Sequence, residues 1–172
     1  LWAAEQKSTK EGQQLLAQAI ATQQSFDNPY EARVWLSVMS QRMAKYAKHI
    51  PPKERFAILL QVHQQASTYG HNPELILALI EVESGFERFS ISKSGAIGLM
   101  QIMPFWKTSF GQEQDNLFDI HTNIRYGCQI LGHYLARSKD DMPQALARYN
   151  GSLGKQTYVN KVFRAWRKHW RL

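Results

Sequence analysis

Apolar side chains recur at intervals of three and four residues along most of this chain. That spacing places them on one side of an α-helix, and it therefore predicts a mainly α fold. Proline and glycine residues mark where one helix ends and the next begins. The predicted helices are 10–22, 28–49, 51–69, 72–85, 99–103, 123–138, 142–150 and a last one that begins near residue 156.

The helical pattern is interrupted between residues 86 and 97. Serine and glycine punctuate short apolar residues there, and no helical period survives. This segment is predicted to be a loop or a short irregular strand pair. The chain contains no internal repeat, low-complexity tract or long linker, and Pro51-Pro52 is the only break that suggests a domain boundary.

Glu83 is the most informative candidate residue because it lies in the apolar helix that ends at Gly85. Asn72 suits the N-cap of this helix, and Pro73 suits its first position. Helical geometry places Glu83 on the apolar face, whereas Glu81 lies roughly 200° away and is expected to be solvated. Burial disfavours a charged carboxylate, so Glu83 is expected to keep its proton near neutral pH and to serve as a general acid.

Composition limits the classes of partner and cofactor. The chain has 172 residues, 21 Lys and Arg against 14 Asp and Glu, and a formal charge of +7, which favours anionic partners. Its single cysteine, Cys128, has no internal disulfide partner. The six histidines form no closely spaced ligand pair, and no metal or other cofactor is expected.

The sequence predicts neither a membrane span nor a nucleic-acid site. The longest strictly apolar run, 75–80, is far shorter than the ~20 residues that a spanning helix needs. The first residues contain no apolar signal core, so a processed or shortened chain is expected. The basic segment 164–171 is interpreted as a terminal helix with an apolar seam and a solvated basic face, and no nucleic acid is expected as a partner.

Four short groups occur in a specific order: Glu83-Ser84, 95–104 with Gly-Leu-Met-Gln, 123–127, and 145–151 with Ala-Arg-Tyr-Asn. The chain resembles the lytic transglycosylases of the soluble-murein type, which are relatives of goose-type lysozyme, because its Glu-Ser, Gly-Leu-Met-Gln and Ala-Arg-Tyr-Asn groups follow in the order of that family. The resemblance covers residues 72–162. It departs from the usual Tyr-Asn-Ala-Gly at Gly151-Ser152, and Arg148 occupies a place often held by a small or apolar residue.

The resemblance implies a mainly α, lysozyme-like domain with a cleft that acts on peptidoglycan glycan strands. We expect this catalytic domain at residues 72–172, with a loop or small β-hairpin at 86–97 as one lip of the cleft. Residues 1–71 match nothing assignable, and we expect them to form an N-terminal helical extension packed on the catalytic domain. A monomer in the periplasm or cell envelope is expected. The positive charge also allows association with anionic membrane or other cell-wall proteins.

Glu83 is expected to protonate the oxygen that leaves when a glycosidic bond is cut. The matching segments contain no second carboxylate, and the resemblance implies that the sugar's own 6-hydroxyl attacks and forms a 1,6-anhydromuramyl end. Asp115 and Asp119 are the nearest alternatives, but each is expected to be a turn or cap residue. A hydrolase of the goose-lysozyme type and a non-catalytic wall-binding protein remain open as alternatives.

Five residues are candidates for substrate binding. Ser84 suits the acetamido or carboxylate region of the sugar, although it is equally interpreted as a helix-terminal hydroxyl. Gln101 suits sugar hydroxyls or an acetamide because it both donates and accepts. Tyr149 is expected to bond to Glu83 or to the acetamido group, with Asn150 supporting it from the cleft wall. Met100 is a candidate for contact with sugar faces, but a core position is favoured.

Overall fold

A computed structural model describes the backbone of residues 2–172 and the side chains from residue 9 onward. The described chain is 66% helical, and the prediction of a mainly α fold is confirmed. Its α-helices are α1 Trp2–Thr22, α2 Pro29–Tyr46, α3 Pro52–Tyr69, α4 Pro73–Ser84, α5 Lys107–Phe110, α6 Ile120–Arg137, α7 Met142–Tyr149 and α8 Thr157–Ala165. A 3₁₀ turn, Pro104–Trp106, precedes α5, and a π-helical turn, Trp166–Trp170, follows α8. None of the described helices is long and apolar enough to cross a bilayer.

The chain divides into two compact units, residues 1–64 and 65–172, with the boundary inside α3. The expected packing of an N-terminal extension on a catalytic domain stays a prediction. In the first unit α1 packs against α2. Buried residues of this unit include Trp35, Leu36, Met39, Met43, Phe56, Ile58, Leu59 and Val62.

A histidine of the first unit is held among aromatic rings. His63 stacks on Phe26 with centroids 3.5 Å apart, and Trp35 approaches the same ring edge-on at 5.0 Å. Nδ1 of His63 shares a 2.7 Å hydrogen bond with Oγ of Ser25. Burial lowers the pKa of His63 to about 4, and the nearby charge of Asp27 opposes this shift only in part.

Local side-chain chemistry fixes where four of the helices begin. Each starts after an Asn or Asp whose side-chain oxygen accepts a hydrogen bond from the backbone N–H three residues later, which satisfies a donor that the helix itself leaves unpaired. These N-caps are Asn28, Asn72, Asp119 and Asp141. Gly85 ends α4 in the left-handed region, with φ of 57°. The predicted roles of Asn72, Asp119 and Gly85 are therefore confirmed.

Helix α4 is buried on every side along its first two turns, which corrects the expectation of a single apolar face. All residues from Glu74 to Ile80 are buried, and even Glu74 is only 8% exposed. The helix packs against both α8 and the π-helical turn. A helix that is apolar around its whole circumference is typical of such a central position. α4 thus carries Glu83 directly out of the core of the second unit.

The segment after α4 differs from prediction at one point. Helical character was expected at 99–103, but the structure has a turn there in which Gln101 adopts φ of 53°. Helical structure begins instead at Pro104, since proline fits a first helical position and disfavours helix in the residue before it. Within the described chain, 86–97 forms no regular strand. Only isolated antiparallel bridges join Ile97 to Ile91 and to Ile102, so this segment is an irregular loop.

Candidate active site

The last turn of α4 and the first turn of α8 meet at Glu83. The hydroxyl of Tyr158 donates a 2.5 Å hydrogen bond to Oε1 of Glu83. Tyr158 is 8% exposed, and the carboxyl that it contacts is half-buried. Burial raises the pKa of Glu83 to about 7, although the hydrogen bond from Tyr158 acts in the opposite direction. The carboxyl therefore keeps its proton to a much higher pH than an exposed glutamate does.

A second tyrosine lies within electrostatic reach of the same carboxyl. The hydroxyl of Tyr149, at the end of α7, donates a 2.7 Å hydrogen bond to the backbone oxygen of Met100 and not to Glu83. Burial, with a further contribution from the charge of Glu83, holds the pKa of Tyr149 well above its usual value. The pKa of Tyr158 is raised in the same direction by the same two causes. Both hydroxyls consequently keep their protons and act as donors.

Ser84 ties the end of α4 to the glycine-rich turn. Its hydroxyl contacts the backbone oxygens of Leu99, at 2.7 Å, and Ile80, at 3.2 Å. The hydroxyl proton is thereby used inside the protein. The interpretation of Ser84 as a helix-terminal hydroxyl describes these contacts, and its contact with a sugar stays a prediction.

Gln101 braces the turn on which it sits. Its Nε2 donates hydrogen bonds to the backbone oxygens of Gly98, at 3.0 Å, and Ser90, at 3.4 Å. The side chain is half-buried. Nε2 is the donor in both bonds, and no described residue donates to the amide oxygen. This oxygen is therefore available to a donor from outside the protein.

Asn123 holds the same turn in place through three hydrogen bonds to backbone groups. It is 1% exposed, and its Nδ2 donates to the backbone oxygens of Leu117, at 2.7 Å, and Ile97, at 2.9 Å. Its Oδ1 accepts a 2.8 Å hydrogen bond from the backbone N–H of Met100. A Cβ on Gly98 would lie 2.4 Å from Asn123 Nδ2, which explains the glycine at that position. The segment 123–127, to which no role was assigned from the sequence, thus supports the turn that carries Gln101.

Two of the predicted binding residues, Met100 and Asn150, differ sharply in exposure. Met100 is fully buried against Gly127, where a Cβ would come within 2.2 Å of Sδ of the methionine. This burial agrees with the core position that was favoured for Met100 over contact with sugar faces. Asn150 is exposed, and its Nδ2 donates a 3.0 Å hydrogen bond to Oγ of Ser152.

The two aspartates considered as a second carboxylate are both engaged elsewhere. Asp119 accepts hydrogen bonds of 2.9 Å from the backbone N–H and the hydroxyl of Thr122, and its pKa is lowered chiefly by the backbone bond. Asp115 accepts a 2.6 Å hydrogen bond from the hydroxyl of Tyr126, which is the main cause of its lowered pKa. Arg125 lies 3.5 Å from the same oxygen of Asp115. These contacts agree with the predicted turn and cap roles.

The prediction that Glu81 is solvated is wrong. Its carboxylate accepts a 2.6 Å hydrogen bond from Nε1 of Trp170 and lies 2.8 Å from Nδ1 of His169. The expectation failed because the π-helical turn, far away in the sequence, folds over the face of α4 that carries Glu81. Glu81 and Glu83 therefore have separate partners on different sides of one helix.

Tyr158 is the site residue that the sequence analysis missed. It lies in the last predicted helix, and it belongs to none of the four short groups. A signal for it did exist, because a tyrosine placed on the buried face of a helix needs a partner for its hydroxyl. The identity of that partner could not be obtained from local spacing.

The fold and the site together define a mainly helical domain built around one carboxylic acid that stays partly protonated at neutral pH. The chain belongs to the family described as the transglycosylase SLT domain, whose model matches residues 61–169. The family indicated by the resemblance is therefore confirmed, although the match begins somewhat before residue 72.

Curated relatives of the chain are named as lytic murein transglycosylases. The chain is 45% identical over 94 residues to "Membrane-bound lytic murein transglycosylase C" of Actinobacillus pleuropneumoniae serotype 5b (strain L20), covering 49% of this chain and 26% of the relative. It is 35% identical over 94 residues to the protein of that description from Glaesserella parasuis serovar 5 (strain SH0165), with the same coverage. A Yersinia pestis (strain Pestoides F) protein of that description is 35% identical over 118 residues, covering 59% and 32%. The chain thus spans about a quarter to a third of the length of these relatives.

Proposed function

We propose that this protein is a lytic transglycosylase of the bacterial cell envelope. It cleaves the β-1,4 bond between N-acetylmuramic acid and N-acetylglucosamine in peptidoglycan and leaves 1,6-anhydromuramyl ends. The observation that carries the proposal is Glu83, whose pKa is raised to about 7 by burial and whose carboxyl is held by Tyr158. The family match and the names of the relatives support the class of reaction.

In the first step, Glu83 acts as the acid. Its carboxyl proton passes to the oxygen that bridges the two sugars, and the bond from that oxygen to the anomeric carbon of the muramic acid breaks. The departing N-acetylglucosamine leaves with a free 4-hydroxyl. The positive charge that develops at the anomeric carbon is stabilised by the ring oxygen, and the carboxylate formed on Glu83 accepts the hydrogen bond from Tyr158.

In the second step, Glu83 acts as the base. Its carboxylate takes the proton from the 6-hydroxyl of the same muramic acid, and O6 bonds to the anomeric carbon. The proton lost in the first step is thereby recovered, and no water is consumed. Intramolecular attack needs no bound nucleophile, an advantage that reaches roughly 7 to 11 kcal/mol in well-oriented systems. The alternatives for a second carboxylate, Asp115 and Asp119, are held in structural contacts that agree with this course.

Two tyrosines position the acid and the turn beside it, and two side-chain amides offer hydrogen-bond acceptors to the sugar. Tyr158 positions the carboxyl of Glu83, and Tyr149 holds the turn at Met100 in place beside it. The amide oxygens of Gln101 and Asn150 accept no hydrogen bond from the described residues, so they suit the hydroxyl and acetamido N–H groups of a sugar. Ser84 contributes mainly by fixing the turn to α4, and its oxygen still offers an acceptor.

Clearing of a suspension of purified peptidoglycan tests whether Glu83 carries the activity. The parent chain should lower the turbidity, and Glu83→Gln should reduce the rate by a factor on the order of a thousand because glutamine cannot supply the proton. Glu113→Gln is the matched control, since Glu113 is an exposed glutamate in a loop. Lysis by Glu83→Gln at the parental rate would remove Glu83 from the mechanism.

A further inference from the structure

A cluster of aromatic side chains lies at the surface around α5. Phe105 and Trp106 belong to the 3₁₀ turn that precedes this helix, and their ring centroids are 5.0 Å apart. The ring of Trp106 also lies 5.3 Å from that of Phe110, stacked at 12°, and 5.8 Å from that of Tyr134 on α6. The ring of His133 lies 5.9 Å from that of Trp106. We name these five residues, Phe105, Trp106, Phe110, His133 and Tyr134, the aromatic platform.

The aromatic platform is open to solvent and is held in place by backbone contacts. Phe105 is 58% exposed, and the other four side chains are half-buried. The hydroxyl of Thr108 donates a 2.7 Å hydrogen bond to the backbone oxygen of Phe105, and Nη1 of Arg125 donates one of 3.2 Å to that of Phe110. Exposed aromatic side chains that cluster in this way are typical of a binding surface. Because the rings are already fixed, a ligand pays little entropy to order them.

Two polar groups of the aromatic platform have no partner within the protein. In the part of the chain with described side chains, residues 9–172, no residue forms a hydrogen bond with Nε1 of Trp106 or with the hydroxyl of Tyr134. Neither atom is fully buried. The platform therefore offers a ligand both the faces of aromatic rings and free N–H and O–H donors.

This combination fits a sugar better than a hydrocarbon tail. The ring of a β-linked sugar carries C–H bonds on its faces and hydroxyl and acetamido groups on its rim. The C–H bonds pack on the faces of aromatic rings, which carry partial negative charge. The oxygens of the rim accept hydrogen bonds from donors such as Nε1 of Trp106 and the hydroxyl of Tyr134. A hydrocarbon tail would cover these two donors and leave them unpaired, which is unfavourable.

The aromatic platform adjoins the candidate active site both in space and along the chain. Burial is the main cause of the raised pKa of Tyr149, and the charges of Glu83 and Tyr134 are among the further causes. Tyr134 of the platform and Glu83 therefore both lie within electrostatic reach of Tyr149. Trp106 follows Gln101 by five residues, which span at most roughly 18 Å. A glycan strand held at Glu83 and Gln101 would thus meet the platform within a few sugar units.

We propose that the aromatic platform is a further subsite, which binds a sugar of the glycan strand beyond the two that flank the cleaved bond. This inference rests on the proposed function, and it adds a contact with the strand away from the reacting atoms. Phe105 and Trp106 supply ring faces for the sugar. The indole N–H of Trp106 and the hydroxyl of Tyr134 donate hydrogen bonds to its rim.

The test compares Phe105→Ala with Tyr30→Ala, which removes an aromatic ring that is 75% exposed in the first unit. Each change is combined with Glu83→Gln so that the strands are not cut, and Glu83→Gln alone is the reference. The affinity for a peptide-free octasaccharide of the wall glycan is measured by calorimetry. Phe105→Tyr, which keeps the ring, is the conservative variant. Since Phe105 is largely exposed, its replacement should leave thermal stability nearly unchanged.

Phe105→Ala should bind the octasaccharide about three- to tenfold more weakly than the reference. Phe105→Tyr and Tyr30→Ala should bind it as the reference does. Tyr134→Phe removes a hydroxyl that no described residue uses, so it should keep its stability and bind the octasaccharide about threefold more weakly. In NMR spectra, the indole N–H signal of Trp106, assigned by its loss in Trp106→Phe, should shift when the octasaccharide is added.

Reference affinity in Phe105→Ala, or an equal loss in Tyr30→Ala, would overturn the proposal. An unshifted indole signal of Trp106 would do the same. So would weaker binding of Phe105→Ala to phosphatidylglycerol vesicles with octasaccharide binding intact, which would identify the platform as a membrane-binding surface. Because these measurements need no turnover, a failure of the proposed reaction would appear separately, in the clearing assay.

Discussion

The hydroxyl of Tyr158 and the carboxyl of Glu83 are joined by a 2.5 Å hydrogen bond although they lie 75 residues apart in the sequence. The bond links the end of one central helix to the start of another. It also opposes the effect of burial on the pKa of Glu83. The strength of Glu83 as an acid is therefore set by two long-range features of the fold.

Tyr158→Phe should weaken Glu83 as an acid. Without the hydroxyl the carboxylate loses a hydrogen bond, so the pKa of Glu83 should rise further above about 7. The alkaline limb of the pH–activity profile should then move to higher pH, and the maximal rate should fall about tenfold. Tyr149→Phe provides the comparison, because that hydroxyl bonds to Met100 and its removal should leave the limb in place. An unmoved limb in Tyr158→Phe would contradict the role given to this residue.

The raised pKa of Glu83 should appear in stability as well as in activity. The folded protein holds this proton up to about pH 7, whereas the unfolded chain releases it near the ordinary value of 4.5. Stability contributed by the protonated carboxyl is therefore complete below pH 4.5 and is lost as pH rises to 7.

Glu83→Gln, which cannot ionise, should gain stability relative to the parent on going from pH 4 to pH 8. The expected gain is on the order of 2 kcal/mol by urea denaturation. Glu113→Gln should show no comparable change between the two pH values. If the stability of Glu83→Gln differed from that of the parent by the same amount at pH 4 and at pH 8, a strongly raised pKa of Glu83 in the parent would be ruled out.

Two glycines of α6 should respond to alanine with opposite signs. At Gly127 the new Cβ would lie 2.2 Å from Sδ of Met100, which should destabilise the protein by about 1–3 kcal/mol. At Gly132 the nearest atom, Nε2 of His71, would be at an ordinary 3.7 Å, and alanine should stabilise the helix by up to about 1 kcal/mol. Thermal unfolding of both variants measures this directly. A stable Gly127→Ala would mean that the turn at Met100 is not close-packed against α6.

His63 should remain neutral well into the acid range. Because its pKa is lowered to about 4, the folded first unit excludes a proton that the unfolded chain binds near 6.5. The contribution of this residue to stability is thus present above pH 6.5 and is lost as pH falls to about 4. An NMR titration of the ring measures the pKa, and a value above 6 would contradict the burial of this side chain.

Features of the fold that depend on neighbouring residues could be predicted from the sequence. Asn72, Asp119 and Gly85 were assigned correctly because a cap is decided within about four residues. The position of Glu83 at the end of an apolar helix was predicted for the same reason. The left-handed conformation of Gln101 was not predicted, because glycine usually occupies such positions. Here a residue other than glycine is held in it by tertiary contacts such as those that its Nε2 makes.

Features that depend on distant segments could not be predicted. Helical periodicity in a run of continuous apolar residues does not tell one buried face from several, so the full burial of α4 was missed. The partners of Glu81, His169 and Trp170, come from the far end of the chain. Tyr158 was missed as a site residue for the same physical reason, since its role depends on how α8 packs.

The central claim is that Glu83 serves as both acid and base in an intramolecular reaction, and the chemistry of the products tests it most directly. Purified peptidoglycan is digested with the parent chain, and the new ends of the fragments are identified by mass spectrometry. The account predicts 1,6-anhydromuramyl ends, each lighter by one water than a hydrolysed end, with none formed by Glu83→Gln. Water-terminated reducing ends without anhydro products would contradict it and would identify a hydrolase of the goose-lysozyme type instead.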